Sequence, residues 1–228
     1  MITNTTKPKR RKGDNKTGQT SDPEESSPES TDGTADNDQN MIMDILASAP
    51  KPVHMTGIYG EVNESKAQEA VFSLLLFQKD ATQDLPEGTP PEPIEFYVST
   101  YGGAATEMFS VYDVMRVVRE TVPVVTCGIG KVMSAGVLLL AAGTKGQRKI
   151  GKHCRVMIHG VNSGHSGYIA DMENEFAETK FTQTQYVSAL AAETDMTLAY
   201  IRKLMSKKTN VYLDAQQAVD LGIADIIV

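Results

Sequence analysis

An α/β fold with a parallel sheet is predicted for this 228-residue chain by two features of its sequence. From residue 53 onward, short apolar runs alternate with longer segments whose apolar residues recur at helical spacing. Nearly all apolar content lies outside residues 1–40, which hold only three hydrophobic residues, Met1, Ile2 and Ala35. Because strands that alternate with helices form parallel sheets with right-handed crossovers, we expect one α/β domain over residues 53–228.

The predicted strands are short apolar runs, and several of them end at glycines, while the predicted helices are longer segments with apolar residues at helical spacing or, for Ala135–Ala142, apolar throughout. The first predicted strand runs from Val53 to a turn at Gly57 and Gly60, and a helix over residues 63–79 follows with Asn63 as its N-cap. A proline-rich loop over residues 81–93 leads to the strand Ile94–Val98, after which Gly102 and Gly103 break the strand. The next helix has the apolar row Met108, Val111, Met115 and Val118. In the second half of the domain, the strand Val122–Ile129 is expected to be buried on both faces, and a loop begins at Gly130. The remaining predicted elements are, in order, the helix Ala135–Ala142, the strand Arg155–Ile158, the helices 171–193, Leu198–Met205 and Asp214–Leu221, and the strand Ile223–Val228. Asp214 and Gln217 have the spacing of a capping box, and Gly222 can end the last helix.

The charge of the first 40 residues is divided between two blocks. Residues 1–18 have a net charge of +5 and residues 19–40 a net charge of −7. A segment with so little apolar surface cannot offset the entropy cost of ordering, so we expect a disordered polar head over residues 1–40 and a connecting segment over residues 41–52. The basic KPKRRK run could contact nucleic acid or an acidic partner, but it has no aromatic side chain for base stacking, which favours a solvated tail.

Composition and motif spacing argue against several classes of protein. The net charge of −7 argues against a general nucleic-acid-binding protein, and no apolar run is long enough for a transmembrane helix or placed as in a secretory signal. Cys127 and Cys154 lie in apolar runs and are expected to be buried thiols rather than a disulfide. The cysteines and histidines lack the spacing of a zinc site. We therefore expect a cytoplasmic protein without a metal.

Three segments place chemically useful groups at the carboxyl ends of predicted strands, where ligand sites of α/β sheets lie. Gly102 and Gly103 can offer backbone N–H groups to an oxyanion, although such a pair is often only a tight turn. Ser134 begins a helix and could be an N-cap, while His159 ends a strand and could be a packing residue. Together the three segments supply the hydroxyl, the imidazole and the oxyanion donors that nucleophilic catalysis requires.

From Val53 to Val228 these residues resemble ClpP, the family of proteolytic subunits of the Clp proteases. The resemblance rests on four stretches of sequence. The first is Tyr-Gly-Gly before a helix containing Val-Tyr-Asp-Val-Met, and the second is Met-Ser-Ala-Gly at Ser134 followed by Leu-Leu-Leu-Ala-Ala-Gly. The third is Arg-Val-Met-Ile-His at His159, and the fourth is Ala-Val-Asp-Leu-Gly-Ile-Ala-Asp near the end of the chain. The 25-residue separation of Ser134 and His159 agrees with the family as well. The resemblance implies the ClpP/crotonase-like fold, a repeated β-β-α spiral with a protruding handle helix.

The resemblance also implies a serine endopeptidase that needs no cofactor. Ser134 would be the nucleophile, His159 the general base, and the N–H groups of Gly103 and Ala135 the oxyanion hole. The position of the family's triad aspartate falls on Asn210, whose carbonyl can orient an imidazole but cannot stabilise an imidazolium by charge. Asp214 is the nearest carboxylate in sequence, and helix capping is its favoured role. We therefore expect weak activity, or activation on assembly.

The partners implied by the resemblance are other subunits, an unfoldase and unfolded polypeptide substrates. Family members stack two seven-subunit rings into a barrel that an AAA+ unfoldase feeds, with ring contacts from the helix matching residues 171–193 and from Gly164–Gly167. That helix carries four residues outside its main apolar row that predict burial against another subunit: Ala177, Phe181, Tyr186 and Ala189. Glu95 stands where the family usually offers its unfoldase an aromatic side chain.

Three other functions stay open at this point. A non-catalytic ring subunit is suggested by Asn210 and opposed by the retained Ser134 and His159. A phage maturation protease would use the same catalytic residues on capsid or scaffold proteins. A crotonase-like acyl-CoA enzyme would share the fold and the oxyanion donors, but such enzymes lack this serine–histidine pair.

Overall fold

The computed structural model describes residues 53–206 and 209–228, so the predictions for the polar head and the connecting segment lie outside the described residues. The strands within the described residues are β1 (Met55–Val62), β2 (Ile94–Gly103), β3 (Val124–Met133), β4 (Lys149–Ile150), β5 (Arg155–Ile158), β6 (Val211–Leu213) and β7 (Ile226–Ile227). The helices are α1 (Glu64–Thr82), α2 (Ala105–Val118), α3 (Ala135–Ala141), α4 (Ile169–Glu193), α5 (Leu198–Ser206) and α6 (Ala215–Asp220). The α/β fold class is thereby confirmed.

The strands form one sheet that forks at β3. Its main path is β1-β2-β3-β4-β7, and β5 and β6 branch from it. The middle of β3 pairs with β4 at Cys127 and Gly128, while its end pairs with β5 from Lys131 to Met133. All pairs are parallel except β5 with β6. The parallel sheet is as predicted, but the antiparallel strand β6 was not foreseen.

Strands β1, β2 and β3 continue through the glycines that were predicted to end them. A Cβ at Gly57 would overlap the carbonyl of Tyr97 on β2, and a Cβ at Gly103 would overlap the carbonyl of Val62 on β1. These glycines therefore let neighbouring backbones approach closely instead of turning the chain. As a result β2 extends to Gly103. Strand β3 also continues past Gly130 and ends at Met133, directly before Ser134.

The core lies between the sheet and helices α1, α2 and α3. All four residues of the predicted apolar row of α2 are buried, and every residue of α3 is buried. Cys127 and Ile129, which point to the other face of β3, are only half-buried. The prediction that this strand is buried on both faces is thus wrong for its second half, because these helices pack against only one face of the sheet.

Helix α4 divides into an exposed part and a packed part. Every residue from Ile169 to Glu178 is exposed, whereas Tyr186, Val187, Leu190 and Glu193 are buried. Tyr186 was predicted to pack against another subunit, and that prediction is wrong because its ring packs inside this chain with 5% of its surface exposed. Phe181 remains 58% exposed, as an intersubunit contact would require.

Two further expectations concern thiols and membranes. Cys127 and Cys154 are both free, and burial raises the pKa of the Cys154 thiol to about 11, which makes it a poor nucleophile at neutral pH.

Among the helices that the structure describes, none is both long and apolar enough to cross a bilayer.

Candidate active site

The sheet brings the three predicted segments to one place. Thr100 of β2 lies beside Val132 of β3, and Met133 of β3 lies beside Met157 of β5. The backbone N–H of Ser134 donates to the carbonyl of Met157 at 2.8 Å, which ties the start of α3 to β5. Because parallel strands end at the same edge, the residues that follow them become neighbours.

Ser134 has a backbone conformation that few non-glycine residues adopt. Its φ of 54° and ψ of −119° lie outside the helical and extended regions, and its side chain makes no capping hydrogen bond with α3. Such a conformation costs on the order of 1–3 kcal/mol and persists only where surrounding contacts impose it. The interpretation of Ser134 as a simple N-cap is therefore not supported, because its hydroxyl is directed elsewhere.

The hydroxyl of Ser134 forms a hydrogen bond with the imidazole of His159. The Oγ and Nε2 atoms are 2.8 Å apart, within the range required of a nucleophile and its general base. His159 directly follows β5 and is half-buried. With Nε2 unprotonated, the ring accepts the hydroxyl proton, and this arrangement can generate an activated serine oxygen.

Gly103 and Ala135 line the same cavity as Ser134 and His159. The cavity has a volume of about 320 Å³, and Met108 supplies an apolar side chain to its wall. Ala104 donates its N–H to Val62 of β1, and successive N–H groups of a strand point to opposite sides, so the N–H of Gly103 is directed away from β1. Ala135 is the first residue of α3, whose N–H has no partner within the helix. Both N–H groups are therefore candidates to stabilise an oxyanion in this cavity.

Asn210 and His159 flank the last pair of the antiparallel β5–β6 pairing. Ile158 pairs with Val211, His159 directly follows β5, and Asn210 directly precedes β6, so the two residues would be opposite each other if the pairing continued by one position. The Asn210 side chain is exposed, and within residues 53–206 and 209–228 no hydrogen bond joins it to His159. The backbone thus brings the two residues together without a contact that would orient the imidazole.

Asp214 is fully engaged as a helix cap. Its carboxylate accepts a hydrogen bond from the N–H of Gln217 at 2.8 Å, and the Gln217 side chain accepts one from the N–H of Asp214 at 3.0 Å. The capping box predicted from the sequence is confirmed. The Asp214 side chain is therefore held at the start of α6 by the hydrogen bond from Gln217, which a role beside His159 would break.

Tyr186 supports the turn that carries Ser134. Its hydroxyl donates to the carbonyl of Ser134 at 2.9 Å, and burial raises the pKa of this phenol, which stays protonated and remains a donor. Sequence reasoning assigned Tyr186 to an interface. Its position one helical turn before the apolar Leu190 was a signal that could have placed it on the packed face of α4.

Two arginines anchor the other end of α3. Arg119 donates to the carbonyl of Ala142 and Arg148 to that of Ala141. Arg119 is paired with Glu193 at 2.7 and 2.8 Å, and Arg148 with Asp225 at 2.6 and 2.8 Å. Cations suit the carboxyl end of a helix, where carbonyls lack intrahelical partners. Sequence reasoning missed this support, which fixes the short helix behind Ser134.

Burial alone would raise the pKa of both carboxylates that hold these arginines. Hydrogen bonds from Arg119 and Tyr112 nevertheless bring the pKa of Glu193 below its usual value. Hydrogen bonds from Arg148 have the same effect on the pKa of Asp225. Both carboxylates are thus ionised at neutral pH, and each ion pair is intact there.

The described residues contain no group of three or more histidine, cysteine or acidic side chains that could hold a metal ion.

Comparisons with known proteins agree with the sequence resemblance. The family model for Clp protease matches residues 38–228, which extends the match into the connecting segment before Val53. The chain is also similar to the ATP-dependent Clp protease proteolytic subunit 4 of Rhodococcus jostii strain RHA1. The two are 29% identical over 168 residues, which cover 74% of this chain and 80% of the relative.

Proposed function

Because the chain belongs to the Clp protease family, we propose that it is a serine endopeptidase that cleaves unfolded polypeptides inside an oligomeric barrel. The observation that carries the proposal is the 2.8 Å hydrogen bond between Ser134 Oγ and His159 Nε2 at the edge of a 320 Å³ cavity. A hydroxyl in a sterically unfavourable turn, paired with an imidazole, is an arrangement that a purely structural serine does not need.

In the proposed reaction, Ser134 Oγ attacks the scissile carbonyl carbon while His159 Nε2 takes the hydroxyl proton. The N–H groups of Gly103 and Ala135 donate to the oxyanion that forms. His159 then gives its proton to the departing amine, which leaves an acyl group on Ser134. Water, deprotonated by the same imidazole, releases the acyl group and restores the hydroxyl.

Asn210 is the proposed substitute for a triad aspartate. The proposal rests on its place next to His159 at the end of the β5–β6 pairing and on its exposed side chain, which forms no hydrogen bond with other described residues and is therefore free to turn toward the imidazole. An amide lacks the charge that stabilises an imidazolium, so the expected activity is low unless assembly supplies further support.

Assembly into rings is proposed from the exposed part of α4. Four apolar side chains of this helix are more than a third exposed: Ile169, Met172, Phe176 and Phe181. A helix with this much uncovered apolar surface is stabilised when a second subunit packs against it. We assign the same role to Gly164–Gly167, which precedes the helix, and propose that the rings lie in the cytoplasm with an AAA+ unfoldase as partner.

The test of catalysis compares the wild type with Ser134→Ala. We expect the wild type to hydrolyse short fluorogenic peptides and to form a covalent adduct with a fluorophosphonate. The Ser134→Ala variant should do neither, and Ser206→Ala, at an exposed serine on α5, serves as the control. Hydrolysis that persists in Ser134→Ala would refute the proposed mechanism.

A non-catalytic ring subunit is the second candidate, and the missing hydrogen bond between Asn210 and His159 favours it. Such a subunit would assemble with an active relative and contribute architecture alone. Fluorophosphonate labelling separates the two candidates, because a structural subunit should give no adduct either by itself or in mixed rings.

A further inference from the structure

Four side chains form a row across neighbouring strands beside the candidate active site. Tyr59, Tyr101, Lys131 and Arg155 lie on β1, β2, β3 and β5 in that order. Lys131 and Arg155 are directly paired in the parallel register, so their side chains leave the same face of the sheet. Tyr59 and Tyr101 reach this face as well, because both rings contact the Lys131 ammonium.

The ammonium of Lys131 is held between two aromatic rings. Its Nζ lies 4.7 Å from the ring centre of Tyr101 and 5.7 Å from that of Tyr59, within the range of cation–π attraction. The rings are 69% and 66% exposed, a high value for aromatic side chains. A lysine fixed in this way loses less conformational entropy on binding a ligand than a free lysine does.

The two cations of this row form no ion pair within the part of the chain that the structure describes. Among the residues that the structure describes, neither Lys131 nor Arg155 has a carboxylate within ion-pair distance. Glu61 lines the same groove, but it forms no ion pair with Lys131. Within the groove the charges of Lys131 and Glu61 offset each other, and Arg155, which is paired with Lys131 on the same face of the sheet, adds a positive charge next to it that suits a ligand with a carboxylate.

The groove adjoins the catalytic cavity. It has a volume of about 490 Å³, and Tyr101 and Gly103 line both spaces. Lys131 precedes Ser134 by three residues, which corresponds to about 10 Å along a strand. A peptide that runs alongside β3 with its scissile bond at Ser134 would pass the Lys131 ammonium about three residues away from that bond.

We propose that this groove is a substrate subsite for an acidic side chain. The carboxylate of an aspartate or glutamate in the substrate would pair with the Lys131 ammonium and the Arg155 guanidinium, with its methylene groups against the tyrosine rings. This inference rests on the proposed peptidase function and adds a preference that the serine–histidine pair does not set. Lys131, Tyr59 and Tyr101 are then specificity residues and take no part in the bond chemistry.

The experiment uses peptide substrates that differ only at positions two to four residues from the scissile bond, with glutamate, glutamine or lysine there. For the wild type we expect kcat/KM to be about tenfold higher with glutamate than with lysine, since a partly exposed ion pair contributes up to about fivefold and the like charge of lysine is unfavourable. In Lys131→Met the ratio should fall to about twofold. In Lys131→Glu it should invert.

A matched control is Lys66→Met, which removes an exposed lysine on α1 that pairs with Glu69. This variant should keep the wild-type ratio. Raising the salt concentration should reduce the glutamate preference of the wild type, because salt screens exposed charges, and should leave Lys131→Met nearly unchanged. A wild type that cleaves all three peptides equally would overturn the subsite while leaving the peptidase function intact.

A wild type that cleaves no peptide would contradict the peptidase function, and the subsite is then tested by binding. Fluorescence anisotropy with the Ser134→Ala variant and labelled glutamate and lysine peptides measures the preference without catalysis. Tighter binding of the glutamate peptide, lost in Ser134→Ala combined with Lys131→Met, supports the subsite. Equal binding of the two peptides refutes it.

Discussion

A methyl group at Gly102 would press directly on the nucleophile. Gly102 has a φ of +107°, and a Cβ built there lies 2.6 Å from Ser134 Cβ and 3.0 Å from Ser134 Oγ. Because carbon atoms in contact prefer a separation of 3.5–4.0 Å, Gly102→Ala must move the two residues apart by about 1 Å. Ser134 would thereby lose its alignment with His159.

The magnitude of the effect has two separable parts. Positive φ costs an alanine about 1–2 kcal/mol, which lowers Tm by roughly 2–8 °C in a domain of this size. Displacement of a catalytic group by about 1 Å reduces the rate by about 100-fold. We therefore expect Gly102→Ala to fold with a modest loss of stability and to lose about 100-fold in kcat/KM and in the rate of fluorophosphonate labelling.

Gly146→Ala isolates the backbone part of this effect. Gly146 has a φ of +84°, and a Cβ built there meets no atom of the described residues within 4 Å. This control should lose a similar amount of thermal stability in a denaturation scan while retaining its kcat/KM. If the activity of Gly102→Ala stayed within about threefold of that of Gly146→Ala, the contact between Gly102 and the nucleophile would not govern catalysis, and the proposed geometry would be wrong.

Three further predictions test the surroundings of the site. Asn210→Asp should raise kcat by about tenfold, because a carboxylate beside His159 at an exposed position stabilises the imidazolium by roughly 1–2 kcal/mol. Peptide hydrolysis that is unchanged or slower in this variant would contradict the role of Asn210. Asp214→Ala removes the cap of α6, so the free energy of unfolding measured by urea denaturation should fall by about 1 kcal/mol while kcat stays constant. A large loss of kcat would instead mean that Asp214 orients the imidazole. Because the pKa of Glu193 is lowered in the folded state, its ion pair with Arg119 stabilises the fold at any pH above the ordinary carboxyl pKa of 4.5. This contribution is lost as the pH falls through the lower pKa that Glu193 has in the folded state. The difference in Tm between wild type and Glu193→Gln should therefore shrink below pH 4.5, and a difference independent of pH would refute this.

Helix positions could be predicted from the sequence because they depend on neighbours three or four residues away. The Asn63 cap and the Asp214 capping box are both present as predicted, since each needs only residues of its own first turn. The ends of the strands were predicted less well. A glycine can end a strand or let two backbones approach closely, and only the partner strand decides which, as Tyr97 does at Gly57.

The candidate nucleophile and base were predictable because their segments have a distinctive local pattern. Ser134 follows a buried strand and opens an apolar helix, and His159 ends the strand that pairs beside it. What the sequence could not supply is the support behind them. Tyr186 contacts Ser134 across 52 positions, and Arg119 contacts Glu193 across 74.

The sequence by itself determined the alternation of strands and helices, the helix caps and the identity of the serine and histidine. Tertiary structure alone decided that β6 runs antiparallel to β5, which sets Asn210 beside His159, and that Lys131 lies between two tyrosines in the groove next to the cavity. The physical reason is that caps and periodicity depend on residues within one turn, whereas strand pairing joins distant segments through backbone hydrogen bonds that every residue type can form.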